Sequence, residues 1–299
     1  MSIPETQLDK WSHQGSITQS STTYNSIKNV LKAHATPYAA KRFNVFLQGS
    51  YGNNTNIYAE SDVDIIIQLN DCFREDLTDL REDEKTAYKS TFREATYTHV
   101  DFKRDVLSTL IKQYGSAVMA GDKAIAIDAS GSRRKADVIV AIQFRRYIKF
   151  RSSNDSSYIE GICFWNGRGE MIVNYPRQHS ANLTAKHQAS SERLKPMVRV
   201  FKNMGSRMID NGLIEPGIAP SYYLECLLYN VPNEVFKSTY QKCVVNILNW
   251  YYQYNQNANN AHLICANEQY PLLRDNSNTC WTKRNCDAFV NAAVELWNN

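Results

Sequence analysis

Asp62 and Asp64 stand two residues apart at the head of Asp62-Val63-Asp64-Ile65-Ile66-Ile67-Gln68-Leu69, a run β-branched and apolar enough for a buried strand. Side chains alternate along a strand, so both carboxylates project from one face, about 6.7 Å apart along the backbone, and can share cations. Taken alone, the pair is equally what a strand-end turn contains. A third acid, Asp137, heads the apolar run Val138-Ile139-Val140-Ala141-Ile142. Gln48-Gly49-Ser50-Tyr51 closes an earlier strand, Phe43 to Gln48, and an ordinary turn is its plain reading. Glycine also permits positive φ and close approach of backbone N–H groups to phosphate oxygens, and Ser50 adds a hydroxyl donor. Three acids around one sheet edge suit two Mg²⁺ ions, and hard oxygen ligands around paired ions suit phosphoryl transfer. One ion steadies a leaving pyrophosphate while the other lowers the pKa of an attacking hydroxyl.

A triphosphate also needs cationic and neutral donors. Lys202 lies on a helix spanning Ser191 to Ile209, and Ser221 follows Pro220 in the first turn of the next helix, where free N–H groups and the dipole favour an anion. Lys202 could instead extend along an apolar surface, and Ser221 could act only as a cap.

The elements that must position these groups fall into two halves. Ser20 to Ala33 has helical spacing behind a Ser/Thr-rich start, and Asp101 to Tyr114 repeats that pattern. The three strands above and a fourth over Ala124 to Asp128 make the first half a mixture of α and β. Asp71 to Lys85 is acidic and reads as a solvated loop and helix start. After Ser191 the pattern is helical: the Lys202 helix, a helix opened by Pro220, one from about Glu234 to Tyr252, and one from Asp287 to Trp297. Asn255 to Asn260 is an Asn/Gln-rich loop. The expected fold is α+β, with a mixed-sheet core over residues 1–185 and a helical lobe over 186–299.

Of 299 residues, 43% are hydrophobic and 21% charged, which is globular composition with ample core material. No apolar run approaches the roughly 18 residues of a membrane span, and the start is no signal peptide, so a cytoplasmic location is expected. A net charge of +4 suits small phosphorylated ligands better than a long duplex. The seven cysteines are scattered, with no Cys-x-x-Cys pair, and read as packed, reduced thiols. Zinc held by Cys280, Cys286 and a distant histidine matches no common framework.

Gly49-Ser50, eleven residues, then Asp62-Val63-Asp64, with Asp137 on a later strand, resembles the signature of polymerase β-like nucleotidyltransferases. More narrowly, the chain is similar to the bacterial cGAS/DncV-like nucleotidyltransferases (CD-NTases), clade E (CdnE). The similarity runs through Pro4-Glu5-Thr6-Gln7-Leu8, Trp11-Ser12-His13-Gln14-Gly15, Thr55-Asn56-Ile57, Ser61-Asp62-Val63-Asp64, Tyr158-Ile159-Glu160-Gly161 and Val173-Asn174-Tyr175-Pro176. It continues over Pro220 to Pro232.

The resemblance implies a polymerase β-like core, a C-terminal helical lobe and an active site in the cleft between them. The implied activity is a cyclic dinucleotide synthase of CBASS-type anti-phage defence. It implies Mg²⁺, with Mn²⁺ as the substitute, held by Asp62, Asp64 and Asp137. Gln48, Gly49, Ser50, Lys202 and Ser221 would hold the donor triphosphate, and Tyr222 matches a position whose ring stacks on a base in related synthases. Tyr222 as a plain core aromatic is the alternative. Asn174 resembles the clade E asparagine that selects a pyrimidine. An amide offers a donor and an acceptor to the O4 and N3–H edge of uracil, although a strand-end asparagine can also simply turn the chain. UTP and ATP are the implied substrates, and the product would act on a separate effector protein. Lys186 and Asn182, just beyond, could line the pocket. The resemblance requires neither long nucleic acid nor membrane, and a monomer suffices. Two features of wider relatives are missing from the sequence: a flexible small-residue tail after Leu296-Trp297-Asn298-Asn299, and a zinc-ribbon insertion. A linear oligonucleotide or RNA nucleotidyltransferase and a purine-only cyclic dinucleotide synthase are the competing readings.

Overall fold

The computed structural model describes residues 2–15, 17–58, 62–236, 239–256, 263–275 and 281–299. In chain order its elements are α1 (Glu5–Ser12), α2 (Thr18–Leu31), β1 (Phe43–Leu47), α3 (Gly49–Asn53), β2 (Val63–Asp76), α4 (Glu82–Thr91), α5 (His99–Tyr114), β3 (Val118–Ala120) and β4 (Ile125–Ile127). They continue with β5 (Ala136–Ser152), β6 (Asp155–Trp165), β7 (Met171–Asn174), α6 (Pro176–Ala189), α7 (Leu194–Asp210), α8 (Ser221–Asn230), α9 (Tyr240–Gln256) and α10 (Lys283–Asn298). The chain folds into two compact units. The sheet unit holds Ile17–Gln48 and Ser61–Pro176, and the helical unit holds Met1–Ser16, Gly49–Glu60 and Arg177–Asn299.

The sheet unit is built on one mixed sheet, ordered β1-β2-β5-β4-β3, with β6 on β5 and β7 on β6. β2 and β5 run parallel while the other pairs are antiparallel. Burial on both faces explains why these two strands are unbroken apolar runs: Ile65, Ile66, Ile67, Val138, Ala141 and Ile142 are all buried. α2 and α5 pack against the sheet; of the α5 residues at helical spacing Val106 and Leu110 are buried, together with Phe102, while Ile111 is exposed.

One expectation is corrected here. Asp71 to Asp76 is not loop but the far part of β2, and helix begins only at Glu82. The register with β5 shifts between Leu69 and Phe73, and beyond that irregularity Cys72 is buried while Asp71, Arg74 and Glu75 are exposed. A strand with one covered face tolerates acids on the other, and Asp71 is also bonded by the Arg42 backbone N–H and Nε.

In the helical unit the core gathers on α7, whose Leu194, Met197, Val198, Phe201, Met204 and Met208 are buried with apolar residues of α8, α9 and α10. The helix read from Glu234 is a short 3₁₀ turn, Asn233–Phe236, and then α9. Asn255 and Gln256 belong to the end of α9; residues 257–260 of the Asn/Gln-rich stretch lie outside the described residues, as do Ser61 and Cys280. The other six cysteines are buried free thiols. Among the described residues no helix is long and apolar enough to cross a membrane.

Candidate active site

The acids come first, in the sheet unit. β2 starts at Val63, so Asp62 sits one residue before the strand and Asp64 inside it. In the parallel register Asp64 stands directly beside Asp137, one residue into β5. Neighbouring strands are about 4.8 Å apart, so the two acids are adjacent on one face. Burial raises the Asp137 carboxyl above its ordinary range; Lys135 pulls it back down and the charge of Asp62 adds to the rise. Lys135 Nζ lies 2.9 Å from Asp62 Oδ2, and its ammonium is held above the usual lysine value by that bond and by the charges of Asp62 and Asp137. The backbone locks this corner: Gln48 N–H donates to Asp64 O (3.0 Å), and Val63 N–H to Lys135 O (3.0 Å).

At the end of β7, Asn174 pairs with Ile162 of β6, and its Oδ1 accepts from Tyr175 N–H at 2.8 Å. The oxygen keeps a second lone pair and the amide its NH₂, so both a donor and an acceptor remain for a base edge. Gly161 lies beneath: a Cβ there would stand 2.8 Å from Asn174 O and 2.9 Å from Tyr175 Cε1.

In the helical unit Gly49 takes φ +66°, the left-handed conformation that glycine adopts without strain, and it opens the single-turn helix α3. Thr55 N–H donates to Ser50 O at 2.9 Å. The segment that follows is strapped from the N-terminus: Gly15 N–H donates to Asn56 O, and Gln14 Nε2 to Asn56 Oδ1. Lys202 is buried, with Nζ 3.0 Å from Thr55 O and 3.7 Å from Glu225 Oε1. Lys202 and Ser221 line one cavity of about 250 Å³, together with Ile57 and Phe289. The Tyr222 ring stacks on His179, with centroids 4.8 Å apart at 21°, and its hydroxyl accepts from Asn267 Nδ2. Asn182 Nδ2 donates to Ala266 O, and burial pushes the Lys186 ammonium below its usual value.

Residues 181–298 match the family model described as the cGAS/DncV-like nucleotidyltransferase C-terminal helical domain. The chain is 37% identical, over 99% of its length and 98% of the other's, to a cyclic UMP-AMP synthase from Rhodothermus marinus. The structure of that organism's CdnE c-UMP-AMP synthase with Apcpp and Upnpp matches at a TM-score of 0.87 and 36% identity, covering 99% of this chain and 97% of that one. This chain belongs to the bacterial CD-NTase family, in the CdnE clade. It is therefore a nucleotidyltransferase that makes a cyclic dinucleotide second messenger for CBASS defence. Other CdnE-like relatives differ in product: a cyclic dipurine nucleotide synthase from Elizabethkingia meningoseptica is 33% identical over 93% of each chain, and a Legionella pneumophila cyclic dipyrimidine nucleotide synthase 35% over 84% of each.

Nucleoside triphosphates as substrates and a divalent metal, Mg²⁺ or Mn²⁺, are expectations of the CD-NTase family. The donor set of this CdnE enzyme fits such a metal. Asp64 and Asp137 are paired hard oxygen donors, and it is chiefly burial that holds the Asp137 carboxyl above its ordinary range, an environment that a bound cation would compensate. Among the described residues, however, no three acidic, imidazole or thiol side chains are gathered into a ready cage, and Asp62 is bonded by Lys135. Sequence reasoning passed over Lys135 and Glu225. The signal for Glu225 was present: a lone charge inside the apolar run Tyr222-Tyr223-Leu224-Glu225-Cys226-Leu227-Leu228.

Proposed function

We propose that this CdnE enzyme joins a uridine nucleotide to an adenosine or second uridine nucleotide, giving cyclic UMP-AMP or cyclic di-UMP, with two Mg²⁺ ions held by Asp62, Asp64 and Asp137. The observation that carries the metal assignment is the side-by-side register of Asp64 and Asp137 on parallel strands. Bound there, the ions would stabilise the leaving pyrophosphate and lower the pKa of the attacking hydroxyl. The chain's own groups do the rest. Gln48, Gly49 and Ser50 offer donors to the triphosphate; Lys202 and Ser221, which share a cavity, add a cation and a hydroxyl. Tyr222 supplies a ring face to a base, and the Asn174 amide reads the uracil edge. A single cytoplasmic chain without bound nucleic acid suffices, and its product acts on a separate effector.

Support for a pyrimidine product comes from the Rhodothermus marinus cyclic UMP-AMP synthase and the cyclic dipyrimidine nucleotide synthases among the relatives. A purine-only product is the second reading, favoured by the Elizabethkingia cyclic dipurine nucleotide synthase. Incubation with all four triphosphates and Mg²⁺, followed by mass spectrometry of the phosphatase-resistant product, separates the two. Asp62→Ala with Asp64→Ala is expected to lower product formation by about three orders of magnitude or more, because the metal ions supply several kcal/mol of charge stabilisation. Product from that variant at the wild-type rate overturns the metal assignment. Asn174→Ser is expected to reduce uridine incorporation, and an unchanged product ratio removes base reading from that amide.

A further inference from the structure

Glu225 is a carboxylate sealed in the helical unit, only 2% exposed, and both its oxygens are occupied. Oε1 accepts from the Thr55 hydroxyl and lies 3.7 Å from Lys202 Nζ; Oε2 accepts from Asn53 Nδ2 at 2.9 Å and from His179 Nε2 at 2.7 Å. Burial alone would raise this carboxyl, but the bonds and charges of His179, Lys202 and Thr55 overcome that and hold it below its usual range. Each partner leads to a group already assigned to substrate. Asn53 and Thr55 close α3, and Thr55 N–H holds the Ser50 carbonyl. Lys202 reaches the Thr55 carbonyl, and His179 carries the stacked Tyr222 ring.

We infer that Glu225 is a positioning residue for nucleotide binding: one buried carboxylate sets both the Ser50 turn, through Asn53 and Thr55, and the Tyr222 ring, through His179. The inference rests on the reading of Ser50 and Tyr222 as triphosphate and base contacts. A carboxylate is the group the geometry requires, because donors arrive on both oxygens. Glutamine has the same size but presents one oxygen and one NH₂, so its NH₂ faces either the Thr55 hydroxyl and the Lys202 ammonium or the Asn53 amide and the His179 ring, and on either side a partner must turn, flip or change tautomer to accept from it. A buried donor left without an acceptor shifts until it finds one, and here the shift falls on the Ser50 turn or the Tyr222 ring.

The test compares wild type with Glu225→Gln, Thr55→Val, Thr55→Ser and Ser50→Ala. Affinity is measured by calorimetry for the α,β-methylene analogues of UTP and ATP with Mg²⁺, and KM and kcat are taken from pyrophosphate release well below each variant's melting midpoint. Glu225→Gln and Thr55→Val are expected to weaken analogue binding about tenfold and to raise KM more than they lower kcat. Thr55→Ser, which keeps the hydroxyl, stays near wild type. Should Glu225→Gln fail to fold, the Thr55 pair decides: loss with valine but not serine supports the inference, and equal affinities overturn it. Wild-type affinity and KM in Glu225→Gln, while Ser50→Ala binds weakly, overturn the inference alone. Wild-type affinity in Ser50→Ala removes the reading of Ser50 on which it stands.

Discussion

Lys135 shows how one side chain can set the balance at a metal site. Its ammonium bonds Asp62 and feels Asp137, so it partly neutralises the corner where a divalent cation would bind. A cation entering there competes with it, and like charges a few ångströms apart repel even at the partial exposure of this pair. Lys135→Met is therefore expected to tighten Mn²⁺ binding about three- to tenfold in the absence of nucleotide, whereas Lys135→Arg leaves it near wild type. Titration of Mn²⁺ followed by electron paramagnetic resonance reads this directly, and equal affinities for Met and wild type would show that Lys135 does not occupy the site. Of the acids, Asp64 and Asp137 sit inside the strands that the sequence suggested, whereas Asp62 falls just before β2, where strand alternation does not govern it. Lys135 was not legible from sequence, because its role depends on a register partner seventy-three positions away in the chain.

At the scale of elements, β5 and its neighbours show what pattern reading gains and loses. The apolar cores of β1, β2 and β5 and the faces of α5, α7, α8 and α10 follow from periodicity, and β2, β5, α7 and α8 carry Asp64, Asp137, Lys202, Ser221 and Tyr222 of the proposed site. β6, β7 and α6 escaped it. The first strand is interrupted by polar residues at Ser156, Ser157 and Glu160, and α6 buries little beyond His179 and Leu183, so neither shows a clean stripe. Yet this is where Asn174 is placed, at the end of β7, with Gly161 of the neighbouring strand in close approach to its carbonyl. A methyl group at 161 would press on both Asn174 O and the Tyr175 ring. Gly161→Ala is accordingly expected to cost about 1–3 kcal/mol of stability and to blur base choice, lowering the uridine share of the product. Denaturant unfolding and product mass spectrometry check the two parts separately; an intact product ratio in a destabilised variant would detach Asn174 from base selection. The continuation of β2 through Asp76 was hidden for another reason, since its charges fall without a clean alternation, Arg74 and Glu75 both being exposed, and only the register with β5 reveals the strand.

Across the molecule, each unit holds a histidine that burial keeps less basic than usual. In the sheet unit His99 packs on Trp165 with Nε2 2.9 Å from Val140 O, and burial lowers its pKa, with a further push from Lys103. In the helical unit burial and then the charge of Lys195 lower His187, whose Nδ1 accepts from the Lys195 backbone N–H at 3.5 Å. Because the unfolded chain takes up these protons at the ordinary histidine value of about 6.5, the stability contributed by neutral His99 and His187 is complete above that value. It is lost as pH falls through the lower values of the folded state. Both units thus weaken over the same interval, before the depressed carboxyls of Glu225 and Asp287 are protonated and remove a second contribution at lower pH. Unfolding free energy is expected to be flat from pH 7 to 8 and to decline below about 6.5, with His99→Gln and His187→Gln each flattening part of that slope. Chemical denaturation at a series of pH values measures it. A wild-type profile without slope between pH 5 and 6.5, or one that both variants leave unchanged, would mean that neither ring is held neutral by its surroundings.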